Sequence, residues 1–138
     1  VEKVCLNEIL YRYLDDYQEV YDYKGITLDV HEKNTFNITM NGTLAVVLIT
    51  NLLKNAFVHN IYKGKIQIEI TSSNIRFGNT GKDEHLDEKH IFERFYQGSK
   101  KEGSTGLGLA IVDAICRQSQ LSIQYQFVKG WHWFDISC

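Results

Sequence analysis

The sequence predicts an α+β fold: a two-layer sandwich, with a mixed, mostly antiparallel sheet of about five strands covered on one face by about three helices. Three patterns carry that expectation. Segments with alternating apolar residues come in pairs, and single stretches with helical spacing separate the pairs. The stretch TLAVVLITNLLKNAFVH is apolar almost all round, which marks a largely buried helix. No internal repeat or interdomain linker breaks the 138 residues, a length that suits one domain with a real core.

In chain order, residues 1–23 read as a helix, because Leu6, Ile9, Leu10, Tyr13 and Leu14 recur at helical spacing. KGITLDV alternates through Ile26, Leu28 and Val30, and TFNITM through Phe36, Ile38 and Met40, so both read as strands. Asn41-Gly42 is a break and a cap for the apolar helix that follows. KIQIEIT alternates through Ile66, Ile68 and Ile70; Ser72, Ser73 and Asn74 turn the chain, and IRFG is the next strand. A charged stretch runs from Lys82 to His90, IFERFYQ suits one or two helical turns, and SKKEGST is a loop. GLGLAIVDAICRQS is a helix, and LSIQYQF and WHWFDIS are strands joined at Lys129-Gly130.

Composition excludes several classes. Apolar residues make up 43% and charged residues 23%, ordinary globular values. The net charge of −2 gives no global basic field for nucleic acid or anionic lipid. Cys5, Cys116 and Cys138 show no metal or disulfide spacing, which fits a reducing compartment. No apolar run reaches membrane-spanning length, and no signal-peptide pattern is present. A first residue of Val1 rather than Met leads us to expect a piece of a longer protein.

Four stretches carry chemistry. Asn51 and Asn55 share a face of the buried helix. A buried amide without partners costs about 1–3 kcal/mol. These two therefore either bond neighbouring loop backbone or line a ligand site, where their carbonyl oxygens suit a hard cation such as Mg²⁺. In FGNTGK, residues 77–82, Asn79 lies on the same strand face as Ile75 and Phe77 and so points toward the core. It is either a pocket floor or an Asx-type turn in which Gly81 supplies a positive φ. In IFERFY, Phe92 and Phe95 are three apart on one helical face, the spacing of a packing anchor. In GSTGLGLAIV, Gly103, Gly106 and Gly108 lead into a helix, whose first N–H groups are free to meet an anion. No βαβ unit surrounds those glycines, and the GK[ST] of a P-loop is missing.

Taken in this order, NLLKNA, FGNTGK, IFERFY and GSTGLGLAIV resemble the catalytic ATP-binding domain of sensor histidine kinases, the Bergerat fold shared with gyrase-type ATPases. The resemblance covers nearly the whole chain, residues 1–138, as one catalytic ATP-binding domain. It implies ATP and Mg²⁺ as cofactors. It assigns Asn55 to the Mg²⁺ that bridges the phosphates, with Asn51 in support, and makes these two the catalytic pair. It assigns Asn79 to the adenine amino group, with Gly81 as the first glycine of the same box. Phe92 and Phe95 would anchor an ATP lid spanning residues 82–105. Gly103, Thr105, Gly106, Leu107 and Gly108 would lie at the lid's end beside the triphosphate.

The implied activity is transfer of the γ-phosphoryl group to a histidine on a separate dimerisation domain, upstream of Val1, in two-component signalling. Implied partners are that domain, a homodimer formed through it, and a response regulator. Nucleic acid and direct membrane contact are not expected, and the domain would be the cytoplasmic part of a membrane-bound sensor. HEKNTF, residues 31–36, looks like a phosphoacceptor motif but lacks its proline and reads as a turn between two strands. Four positions depart from the family pattern: Val58 replaces a basic residue, His59 the aromatic beside it, Asp83 a glycine, and Asn79 the adenine-binding Asp. Asn keeps a carbonyl acceptor and adds an NH₂ group that can donate to the neighbouring ring nitrogen, but it loses charge assistance. Two alternatives stand beside the kinase: a degenerate nucleotide-binding or regulatory module without turnover, and a protein-serine kinase of the anti-sigma type.

Overall fold

The structure is a computed structural model that describes residues 1–81, Phe92 and residues 108–138. Strands form where apolar residues alternate. β4 (Lys65–Ile70) and β5 (Asn74–Thr80) make a hairpin whose Ile66, Ile68, Ile70, Ile75 and Phe77 are all buried on one face. Removing each such side chain from water contributes about 1.5–3 kcal/mol. β6 (Ser122–Val128) and β7 (Trp131–Ser137) form the second hairpin, with Lys129 and Gly130 at positive φ in its turn. β2 (Thr27–Glu32) completes a five-stranded sheet of order β2-β4-β5-β7-β6, in which only the β2–β4 pair is parallel.

The opposite face of this sheet is polar. Arg76 pairs with Glu69 at 3.1 Å and Asp135 at 3.6 Å, and its guanidinium lies 4.3 Å from the centre of the Trp133 ring. Helices therefore cover one face only. α1 (Leu6–Val20) and α3 (Gly108–Gln118) flank α2 (Gly42–Val58), which buries Leu48, Ile49, Leu52 and Leu53. The expected two-layer α+β sandwich is what forms.

Two expectations change. The first helix does not begin at Val1: β1 (Glu2–Cys5) precedes it and pairs antiparallel with β3 (Asn37–Met40) in a separate two-stranded sheet. Val4 is buried opposite Ile38, so tertiary pairing outweighs the short helical pattern there. The strands around HEKNTF also do not pair with each other, because β2 lies beside β4 and β3 beside β1. Residues 33–36 carry the chain from one sheet to the other, while His31 and Glu32, the first two residues of HEKNTF, still belong to β2. Asn7 pins that connection to the start of α1: its Nδ2 donates to the Asn34 carbonyl at 2.9 Å, and its Oδ1 accepts from the Phe36 N–H at 2.9 Å.

Cys116 is buried in α3, and burial pushes its thiol up to about 12. Among the described residues no helix is long and apolar enough to cross a membrane.

Candidate functional site

The site is built around α2 and the end of β5. Asn41 caps the start of α2, its Oδ1 accepting from the Leu44 N–H at 3.0 Å. Two turns further on, Asn51 and Asn55 are half-buried. The Asn51 Nδ2 donates to the Val47 carbonyl at 2.8 Å, which fixes its amide and turns Oδ1 outward. That Oδ1 faces Gly108, the first residue of α3, where a Cβ would stand only 3.3 Å from it. Asn51 and Gly108, the last glycine of the run, are thus brought together. The Asn55 side chain makes no hydrogen bond among the described residues.

These two carbonyl oxygens are the groups here that fit a hard cation. Among the described residues no cluster of three His, Cys, Asp or Glu exists to hold a metal. A cation at α2 would accordingly lean on ligand oxygens and water, the habit of Mg²⁺.

β5 runs through Thr80, so Asn79 sits on a strand rather than in a turn. It lies between Ile66 and His132 in the sheet register, on the core face, and is 2% exposed. Its Nδ2 donates to the Thr80 carbonyl at 2.8 Å. Its Oδ1 is buried with no hydrogen-bond partner among the described residues. An acceptor left unpaired away from water costs about 1–3 kcal/mol, so it is an atom that a ligand donor would stabilise. The NH₂ group, expected to face a ring nitrogen, is instead turned to backbone. The turn reading also fails at Gly81, which is not at positive φ. Glycine is needed there for space: a Cβ would lie 2.8 Å from the His59 carbonyl oxygen and 3.4 Å from the His132 ring.

Several residues that position this end were not evident from the sequence. α2 ends at His59, which is neither glycine nor left-handed, and its last turn carries no basic residue. Local N–H groups reach the Asn55 and Phe57 carbonyls, and a donor from a distance adds to them. The Lys24 Nζ donates to the carbonyls of Phe57 and Val58 at 2.9 Å each and of Asn60 at 3.2 Å. Asn60, 2% exposed, takes the Thr80 hydroxyl on Oδ1 at 2.7 Å and gives Nδ2 to the Lys65 carbonyl at 3.0 Å. His132, buried opposite Asn79, bonds the Tyr125 hydroxyl through Nδ1 at 2.7 Å. An internal lysine and a further buried asparagine are visible in the chain, but no local pattern joins them.

Val58 is buried among core residues and offers no charge to a ligand. Phe92 packs edge-on against Phe134, with ring centres 6.4 Å apart. Phe95, Gly103, Thr105, Gly106 and Leu107 lie outside the described residues, as do Asp83 and most of the expected lid.

A family profile described as histidine kinase-, DNA gyrase B- and HSP90-like ATPase matches residues 40–132. The heme sensor protein HssS of Staphylococcus aureus is 30% identical over 129 residues, 90% of this chain and 28% of that protein. The sensor histidine kinase RppB of Synechocystis sp. is 36% identical over 94 residues, 60% of this chain and 21% of that protein. The chain therefore spans less than a third of the length of these relatives. Among solved structures, the mycobacterial sensor histidine kinase MprB superposes with a TM-score of 0.81 at 19% identity, covering 98% of this chain and 95% of that one. The nucleotide-free catalytic domain of histidine kinase ThkA gives 0.81 at 20% identity, covering 97% and 91%. At these identities the solved structures establish the shared fold.

Proposed function

The chain belongs to the histidine kinase-, DNA gyrase B- and HSP90-like ATPase family, and on that premise we propose that it binds Mg-ATP and donates the γ-phosphoryl group to a histidine on a separate dimerisation domain, in two-component signalling. The observation that carries the reading is the buried, unpartnered Asn79 Oδ1, aimed from the core face of β5 beside Gly81. That oxygen accepts from the exocyclic amino group of adenine. A base with a carbonyl at the same place, such as guanine, would set acceptor against acceptor and be rejected. The bond is neutral, so it holds adenine less strongly than a carboxylate would.

At the other end, the Oδ1 atoms of Asn55 and Asn51 would hold Mg²⁺, with Gly108 at the start of α3 facing the Asn51 Oδ1. When bound, Mg²⁺ neutralises charge on the phosphate oxygens. Asn51 stands where the family's ATPases carry a glutamate base. An amide accepts no proton at neutral pH, so the site does not activate water. It holds ATP for an external imidazole, whose nitrogen bonds the γ-phosphorus as the β–γ bond breaks and ADP leaves. The catalytic contribution of the chain is positioning.

The reading extends to a dimerisation and phosphoacceptor domain upstream, a homodimer through it, a response regulator downstream, and a cytoplasmic location. The buried Val58 favours the second reading, a regulatory module that binds nucleotide without turnover. Incubation with [γ-³²P]ATP and Mg²⁺ separates the two. The 138-residue chain alone stays unlabelled, and label enters a histidine of the parent protein's upstream region when the two are mixed. Label in the isolated chain, or none in the mixture despite ATP binding, contradicts the kinase reading.

A further inference from the structure

We propose that Lys24 is a positioning residue for the base-binding end of the site, acting through α2 and Thr80 on the Asn79 carbonyl. The inference rests on the nucleotide-site reading above and adds a determinant of base selectivity to it.

The reasoning starts at the helix end. The last carbonyls of any α-helix lack intrahelical donors, and the helix end carries partial negative charge. α2 has no glycine at its end and no lysine or arginine in its last turn. An ammonium carries three N–H donors, and Lys24 directs its own at three carbonyls, those of Phe57, Val58 and Asn60. Lys24 is itself held in place. It ends a 3-10 turn (Asp22–Lys24) closed by Gly25 in the left-handed region at φ 63°. Its carbonyl accepts from the Lys63 N–H, and Tyr21 stacks on Phe57 at 5.7 Å. Lys24 is 8% exposed.

The path onward is continuous. With the α2 end fixed, the His59 carbonyl lies against Gly81 so closely that no Cβ fits between them. The Asn60 Oδ1 holds the Thr80 hydroxyl, and that hydroxyl in turn accepts from the Lys65 N–H at 2.8 Å. The Thr80 carbonyl is what orients the Asn79 amide, through Nδ2. The orientation decides which Asn79 atom is offered to a base. Nδ2 turned to Thr80 leaves Oδ1 as the acceptor, whereas a freed amide can rotate and present either group. Lys24 therefore governs selectivity for an amino-bearing base without touching it.

The test uses the 138-residue chain and two substitutions that break the path at different links, Lys24→Met and Thr80→Val. The side-chain amide resonance of Asn79 is followed by NMR, and ATP and GTP binding by calorimetry. The expected result is that both variants move the Asn79 amide resonance and weaken ATP by about tenfold, the worth of one hydrogen bond. GTP affinity is expected to stay as it was, so the preference for ATP collapses. A folded variant whose Asn79 resonance keeps its parent position, or one that loses ATP and GTP alike, overturns the proposal in favour of a merely structural lysine. If Lys24→Met does not fold, Thr80→Val decides by the same two readouts. If the parent chain binds neither nucleotide, the nucleotide-site reading fails, and the Asn79 resonance still decides whether Lys24 acts on it.

Discussion

The two ends of α2 are satisfied in opposite ways. Its start is capped by its own neighbour: Asn41 accepts from the Leu44 N–H, three residues on. Its end is capped by Lys24, more than thirty residues earlier in the chain, through three carbonyls. The first cap stabilises the helix and says nothing about where the helix lies. The second ties the helix to the segment before β2 and, through Asn60 and Thr80, to the last residues of β5. A local cap makes an element; a long-range cap places it. Asn79 Oδ1, buried without a partner among the described residues, lies at the placed end.

The sharpest break of this contrast is Lys24→Met. It removes three ammonium-to-carbonyl bonds at the α2 end, where the Phe57 carbonyl keeps the Asn60 N–H at 3.3 Å, so urea denaturation should show a loss of about 3 kcal/mol. A loss equal to that of the N-terminal cap would erase the distinction. Next comes Gly64→Ala. A Cβ there would stand 2.0 Å from the Asn60 Oδ1 and 2.6 Å from the Thr80 Oγ1, forcing the two apart. Overpacking of this kind costs about 2 kcal/mol, read from the same denaturation midpoint. Asn41→Ala removes the local cap and should cost about 1 kcal/mol, leaving nucleotide affinity where it was. The smallest effect is a coupling. Lys24→Met and Thr80→Val share a network, and their combined cost should depart from the sum by at least about 0.5 kcal/mol, whereas Lys24→Met and Asn41→Ala should add.

The same division decides what the sequence shows. Alternation through Ile66, Ile68 and Ile70 gives β4, and its extension from Ile75 through Phe77 puts Asn79 on the core face, where it is found. The all-round apolar pattern gives α2 its bounds within a residue, and Asn41 its cap. These are properties of neighbours. β1 is not legible, because four residues with one buried valine carry no period of their own and become a strand only by pairing with β3. The parallel partner of β2 is equally non-local.

At the site, the residue types and their faces are legible, while the commitment of each polar atom is not. No spacing rule says that Lys24 will reach the end of α2, or that the Asn79 nitrogen will be spent on Thr80 and its oxygen left over. Those facts depend on which chain segments meet, and segments meet through the whole core. Gly81 shows the same limit: the residue is evident, but its reason is the nearby His59 carbonyl and not a turn.

The central claim is that a neutral asparagine carbonyl suffices to recognise adenine. Calorimetric titration of ATP in the presence of Mg²⁺, into the parent chain and into Asn79→Ala, tests it most directly. The account predicts saturable binding to the parent at a stoichiometry of one, tighter for ATP than for GTP, and loss of that preference in the variant. No heat from the parent at millimolar ATP, or equal binding by parent and variant, would contradict it.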